Sequence, residues 1–224
     1  MSSFKSRPAV AAFVASVAFG ASGHANPFGY HEHDGFYLRV TAGLASLDIR
    51  RETQGGSSES VAFAGDGSRI VGPSVFNELS VGGTPLRHVV FAGTLLGTGL
   101  PATELKVASG SRIDLGTPLV FAMLGPSIDV FPDAYGGFHA GGGIGIATST
   151  AGVKDPIFST IGGLGVGMTL SLGYDFWTSD DWSVGFAARG IVARIEGEQQ
   201  SSQAVAREQD IVTSASLAVS LLYH

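Results

Sequence analysis

Six ionisable residues, Arg39, Glu78, Asp129, His139, Asp175 and Arg189, each stand among apolar, small or uncharged neighbours. A charge in apolar surroundings has to be paired, hydrated or put to use. Two arginines and three carboxylates could close on one another as an ion-pair network. They could instead line a polar conduit, or a carboxylate beside the histidine could do acid–base work. Which of these holds depends on whether the six side chains share one enclosed space.

Other candidate chemistries are weaker. His31-Glu-His-Asp34 offers imidazoles and carboxylates to zinc or nickel, but it lacks the H-E-x-x-H spacing that sets two ligands on one helix face. A solvated lead-in is expected, and no metal. Gly141-Gly-Gly-Ile-Gly145 and Gly162-Gly-Leu-Gly-Val-Gly167 miss the third glycine of G-x-G-x-x-G, since Ile146 and Met168 stand there. No G-K-[ST] and no G-x-S-x-G occurs, so neither a phosphate loop nor a nucleophile elbow is present. Cysteine is absent, which removes disulfides and thiolate sites. No catalytic residue and no cofactor is expected. The net charge of −6 speaks against nucleic acid as a partner.

The elements that must position the six residues read as strands. Trp182, Val184, Phe186 and Ala188 alternate with smaller or polar residues. So do Val166, Met168, Leu170, Leu172, Tyr174 and Phe176, and again Ala215, Leu217, Val219, Leu221 and Tyr223. Side chains of a strand face opposite sides in turn, so each segment has one apolar and one small or polar face. Eight segments are predicted, near 35–49, 70–82, 86–96, 118–131, 137–148, 163–177, 182–195 and 210–223. The mean hydropathy is +0.28 with only 14% charged residues, yet beyond residue 25 no apolar run reaches the length of a spanning helix. Such a chain can satisfy its backbone in hydrocarbon only as a closed barrel.

The connections fit that closure. Gly83-Thr-Pro85, Pro132 to Gly136 and Thr178 to Asp181 read as tight turns, whereas 50–69, 97–117, 149–162 and 196–209 are longer and polar. Long and short alternate strictly, so an up-and-down barrel carries all its long loops at one end and both termini at the other. Phe36, Phe131, Phe138, Tyr174, Phe176, Trp182 and Tyr223, with Tyr37, Tyr135, Trp177 and Phe186, gather near the short-turn end and read as an aromatic girdle. By alternation the six ionisable residues point inward, where an ion-pair plug is the expected arrangement. Gly141, Gly143, Gly145, Gly165, Gly167 and Gly173 also point inward and leave room for larger side chains.

Residues 1–25 read as a secretory signal: Lys5 and Arg7 precede the apolar stretch from Pro8 to Gly20, and Gly23-His-Ala25 suits cleavage after Ala25. Residues 26–34 are then a periplasmic lead-in and 35–224 the barrel.

The last strands, Leu172-Gly-Tyr-Asp-Phe-Trp177 and Trp182-Ser-Val-Gly-Phe186, joined through Thr178-Ser-Asp-Asp181, resemble the final hairpins of the small eight-stranded outer-membrane barrels of the OmpA/OmpX-like superfamily, the outer membrane protein β-barrel domain. The resemblance implies an all-β, eight-stranded antiparallel up-and-down transmembrane barrel in the bacterial outer membrane, with periplasmic termini. Its implied partners are outer-membrane lipids and the barrel-assembly machinery. That machinery reads a terminal aromatic in such families, and here Tyr223 is penultimate. The expected role is non-enzymatic, structural or envelope-interacting through the surface loops. Two alternatives compete with it. One is a lipid-modifying acyl hydrolase or transferase on the same scaffold. The other is a soluble secreted barrel with its apolar face turned inward around a ligand.

Overall fold

The computed structural model describes residues 35–54, 69–86, 88–100, 103–106, 112–115, 118–133, 136–151, 161–200 and 205–223. The expected signal, the lead-in with His31-Glu-His-Asp34, and Tyr135 lie outside the described residues. Ten strands run in chain order: Gly35–Gln54 (β1), Arg69–Leu86 (β2), Val89–Leu100 (β3), Thr103–Lys106 (β4), Arg112–Leu115 (β5), Leu119–Val130 (β6), Phe138–Ala151 (β7), Ile161–Trp177 (β8), Trp182–Gln200 (β9) and Val205–Tyr223 (β10). Among the described residues there is no helix.

Eight of the strands form a closed antiparallel cylinder. Neighbours follow the order β1, β10, β9, β8, β7, β6, β3, β2, and the pairing of β1 with β2 shuts the ring. Leu44 meets Leu217 on one side and Val75 on the other, so the first strand is hydrogen-bonded along both edges. Closure leaves no edge whose polar backbone would face hydrocarbon.

Local chemistry explains the departures from a uniform ladder. Pro126 lacks an N–H, and the β6–β7 ladder breaks between the pairs Leu124–Ile146 and Ser127–Gly143. Pro73 lies beyond Gly99–Val75, the last pair of β2 with β3 at that end, where no donor is required of it. Three connections differ from expectation, and one of them, 196–209, read as a long link, is mostly strand, since β9 runs to Gln200 and β10 begins at Val205. Gly83-Thr-Pro85 does not turn: β2 continues to Leu86 because Gly83 and Thr84 still pair with Phe36 and Gly35 of β1. The register against β3 shifts between Gly83 and Leu86, and the chain reverses before Val89, where His88 takes φ +72°. The stretch 97–117, read as a polar link, begins inside β3 and carries the β4–β5 hairpin, which joins the barrel through Lys106 opposite Arg69 of β2.

The alternation resolves into two faces. Leu170, Leu172, Leu217 and Val219 point outward, with Leu217 73% exposed. So do Leu44, Ile144, Leu164 and Val166, each about as exposed. An apolar exterior on this scale is foreign to a water-soluble monomer, and it is the inverse of a soluble ligand-binding barrel.

Candidate functional site

The interior is stacked in layers. Nearest the short turns, Tyr37, Val90, Phe131 and Leu222 form a small apolar floor. Above it lies a charged layer. Towards the long loops the lumen is filled by apolar side chains that include Leu47, Phe76, Leu96, Phe121, Ile191 and Val212. That upper apolar fill was not read from the sequence.

All six ionisable candidates have buried side chains inside the cylinder. They divide into two groups. Arg39 on β1 reaches across the lumen: Nη1 donates to Asp129 Oδ2 on β6 at 2.9 Å, and Nη2 to Asp175 Oδ2 on β8 at 3.3 Å. His139 on β7, the strand diametrically opposite β1, sits between the same two carboxylates at 3.6 and 3.5 Å, with Nε2 3.4 Å from Arg39 Nη2. The second group is a strut from β9 to β2. Arg189 Nη2 donates to Glu78 Oε1 at 2.9 Å and lies 2.7 Å from Oε2. Each arginine also lies over an aromatic ring, Arg39 over Tyr37 at 5.3 Å and Arg189 over Phe76 at 6.0 Å.

Uncharged partners complete both groups, and these were missed from the sequence. The Tyr37 hydroxyl donates to Asp129 Oδ2 at 3.1 Å, and Ser220 Oγ to Asp175 Oδ1 at 3.3 Å. Ser80 Oγ donates to Glu78 Oε1 at 3.1 Å and continues through Thr94 to Ser127 at 2.8 and 2.6 Å. Parity was the available signal. Tyr37 is two residues from Arg39, and Ser80 two from Glu78, so each shares the inward face of its neighbour.

Glycines make the charged layer possible. Asp129 stands opposite Gly141, His139 opposite Gly173, and Asp175 opposite Gly185. A Cβ on Gly141 would collide with the Asp129 carboxylate, one on Gly173 with the His139 ring, and one on Gly185 with the Asp175 carboxylate. Gly185 also separates Asp175 from Ser220, which reaches across it. These glycines serve packing and leave no cradle for a phosphate.

Phe131 corrects the girdle expectation. It is completely buried and stacks on His139 with ring centroids 5.2 Å apart. It continues the inward parity of Asp129, so its ring seals the floor of the lumen and meets no lipid. Its N–H donates to the His88 carbonyl at 2.9 Å, which ties that seal to the β2–β3 turn. Tyr37 is inward for the same reason. Phe36, Phe138, Tyr174, Phe176 and Phe186 are exposed on the outer face, and Trp182 and Tyr223 half-buried. Contacts Phe36–Tyr223, Tyr223–Trp182, Tyr174–Phe176 and Phe176–Phe186 link them along the short-turn end.

Chemically, the charged layer is a set of ion pairs in which Arg39 Nε and His139 Nδ1 are buried without a hydrogen-bond partner among the described residues. Both carboxylates that flank His139 accept from Arg39, and the imidazole is wholly buried beneath the Phe131 ring. Among the described residues no cluster of three or more His, Asp or Glu side chains has the arrangement to hold a metal ion.

The chain matches no protein-family model, and no curated protein is significantly similar to it in sequence. Solved structures are similar in fold. The outer membrane protein AlkL, determined in DMPC lipid bilayers, superposes with a TM-score of 0.53 at 10% identity, covering 86% of this chain and 92% of that one. OprG from Pseudomonas aeruginosa gives 0.49 at 12% identity over 87% and 99%. The neisserial surface protein NspA gives 0.49 at 14% over 84% and 96%. The likeness to AlkL, together with the closed ring of eight strands, shows the fold of a small outer-membrane β-barrel.

Proposed function

We propose that this protein is an integral barrel of the bacterial outer membrane whose lumen is closed to solutes, with a structural or envelope-interacting role exerted through its long loops. The single observation that carries the reading is the filled interior. Two arginine struts cross the lumen beneath an apolar core, and Phe131 and Tyr37 close the floor. A conduit would need a continuous polar path, and the upper layer is filled chiefly by apolar side chains, with buried Thr98 and Ser149 on either side of Phe121. An acyl-transfer enzyme would need a nucleophile and base at the rim that faces lipid headgroups. His139, the histidine with carboxylate partners, is enclosed instead.

In this reading outer-membrane lipids solvate the apolar belt, the outward aromatics sit at the headgroup level of the short-turn end, and both termini are periplasmic. The barrel-assembly machinery inserts the chain and reads Tyr223 near its end.

Planar-bilayer recording of refolded protein tests the closed lumen. Wild type gives no steady ion conductance. Arg39→Ala combined with Phe131→Ala opens the floor but leaves the upper apolar core in place, so measurable current is expected only when Phe76→Ala and Phe121→Ala are added. Steady conductance in the wild type would refute closure. Protease cleavage within 50–69 on whole cells tests the orientation, since periplasmic termini place that loop outside.

A further inference from the structure

One polar side chain stands in the middle of the outer wall. The outward face of β2 runs Val81, Leu79, Asn77, Val75, Pro73 and Val71, all of them exposed. From Val71 to Val81 is 11 residues, within the roughly 9–11 that carry a tilted strand across a bilayer. Asn77 is near the centre of that run. On other strands the middle of the outward run is apolar, as at Leu95, Leu124, Ile144, Leu170 and Leu217. A primary amide has two N–H donors and a carbonyl acceptor, and hydrocarbon offers it nothing in return. Its neighbours on the same face give no help. They are Val40, Ala42 and Leu44 across β1, and Leu95, Gly97 and Gly99 across β3, none with a polar side chain.

The wall around Asn77 is also low. Its two directly paired neighbours are Ala42 and Gly97, and Gly93 lies further along the outward face of β3. A Cβ on Gly97 would meet only the Phe121 carbonyl oxygen, at 3.6 Å, and one on Gly93 only that of Val81, at 3.9 Å. Packing inside the molecule therefore does not demand glycine at either position, unlike the inward glycines. Small residues let a second backbone come close in a membrane. Whatever approaches must bring a donor and an acceptor to the depth of Asn77. Headgroups and water lie about 15 Å away, half the hydrocarbon thickness. A second copy inserted in the same orientation carries its own Asn77 at the same depth. Two primary amides are self-complementary, and close two reciprocal N–H···O bonds.

We propose that the β1–β2–β3 face joins two copies of this chain in the membrane, about a twofold axis along the membrane normal that passes between their Asn77 side chains. The inference rests on the outer face meeting lipid, as in the proposed function. Ala42 and Gly97 flank Asn77 on opposite sides, so the twofold sets Ala42 of one copy against Gly97 of the other. The same patch meets itself, and the association stops at two. The opposite wall, at β8, stays in lipid.

Single-molecule photobleaching of refolded protein in liposomes counts the copies, with one dye per chain on Asp180→Cys, since the sequence has no cysteine of its own. Chains with Asn77 intact bleach in two steps at protein-to-lipid ratios where chance co-occupancy is rare. Asn77→Leu and, separately, Asn77→Ala weaken association at least about tenfold, while Asn77→Gln, which keeps the amide, retains most of it. Without the dye, a mixture of Ala42→Cys and Gly97→Cys copies forms the disulfide between copies on oxidation, and Leu170→Cys copies, altered on the opposite wall, do not. Single-step bleaching with Asn77 intact, undiminished association of folded Asn77→Leu, or cross-linking through Leu170→Cys in place of the Ala42 and Gly97 pair would each overturn the proposal. Heat-modifiable migration on gels shows that each variant is folded. Flotation with liposomes reads insertion separately, so failure of the membrane assignment shows as loss of flotation in the wild type itself.

Discussion

Arg39 holds two buried carboxylates, whose further polar neighbours are the Tyr37 and Ser220 hydroxyls and the His139 ring. Removing one partner from a buried pair costs about 3–5 kcal/mol, because the remaining charge is left uncompensated. Arg39→Ala is therefore expected to lower unfolding stability by that amount in denaturant titrations in bilayers. Arg39→Met with Asp129→Asn and Asp175→Asn should recover much of it, and a single-variant loss below about 1 kcal/mol would show that the strut contributes little. Glycines give a matched test at the same scale. Gly173→Val drives a side chain into the His139 ring and should cost about 1–3 kcal/mol through overpacking. Gly99→Val, where an added Cβ meets no atom within 4 Å, should be near neutral in the same titration.

For a strand, the deciding property is which face a residue belongs to. Leu170 of β8 is 65% exposed on the outer wall, between Met168 and Leu172 on the same face. Leu170→Arg should cost roughly 2–4 kcal/mol in a bilayer, as a cation near the midplane does. Stability unchanged by that substitution would contradict a lipid-facing wall. The same parity puts Phe131 inside, two residues beyond Asp129, although its position beside a short turn suggested a headgroup aromatic. Location along the strand gives depth, while parity gives face, and only both together place a side chain. The 83–85 stretch shows a second limit. Gly-Thr-Pro has the composition of a turn, but pairing with β1 as far as Thr84 keeps it extended, because ladder hydrogen bonds to a distant strand outweigh local turn preference.

Across the whole molecule, closure couples distant residues. Arg39 and Asp175 are 136 positions apart in sequence, and Arg189 and Glu78 are 111 apart. The two struts therefore brace opposite walls of one cylinder. Heating in detergent should release the barrel in a single cooperative step, with folded and unfolded forms migrating separately on gels. A variant that lacks both arginines should melt at lower temperature with the same cooperativity. A separate low-temperature step would instead mean that the floor and the upper apolar core unfold independently.

Period-two patterning was enough to give eight antiparallel strands and the inward direction of the six ionisable residues, but not the strand limits at 196–209, where pairing between β9 and β10 carries the strands to Gln200 and Val205. Alternation is a local property of extended chain, so residues two apart must share a face whatever the strand pairs with. Which charges meet, the split into an Arg39 group and an Arg189 group, the serine and tyrosine partners and the apolar upper lumen emerged only once the ring closed. Each of these depends on register between strands far apart in sequence and on the shear with which the cylinder shuts, and no local pattern encodes either quantity.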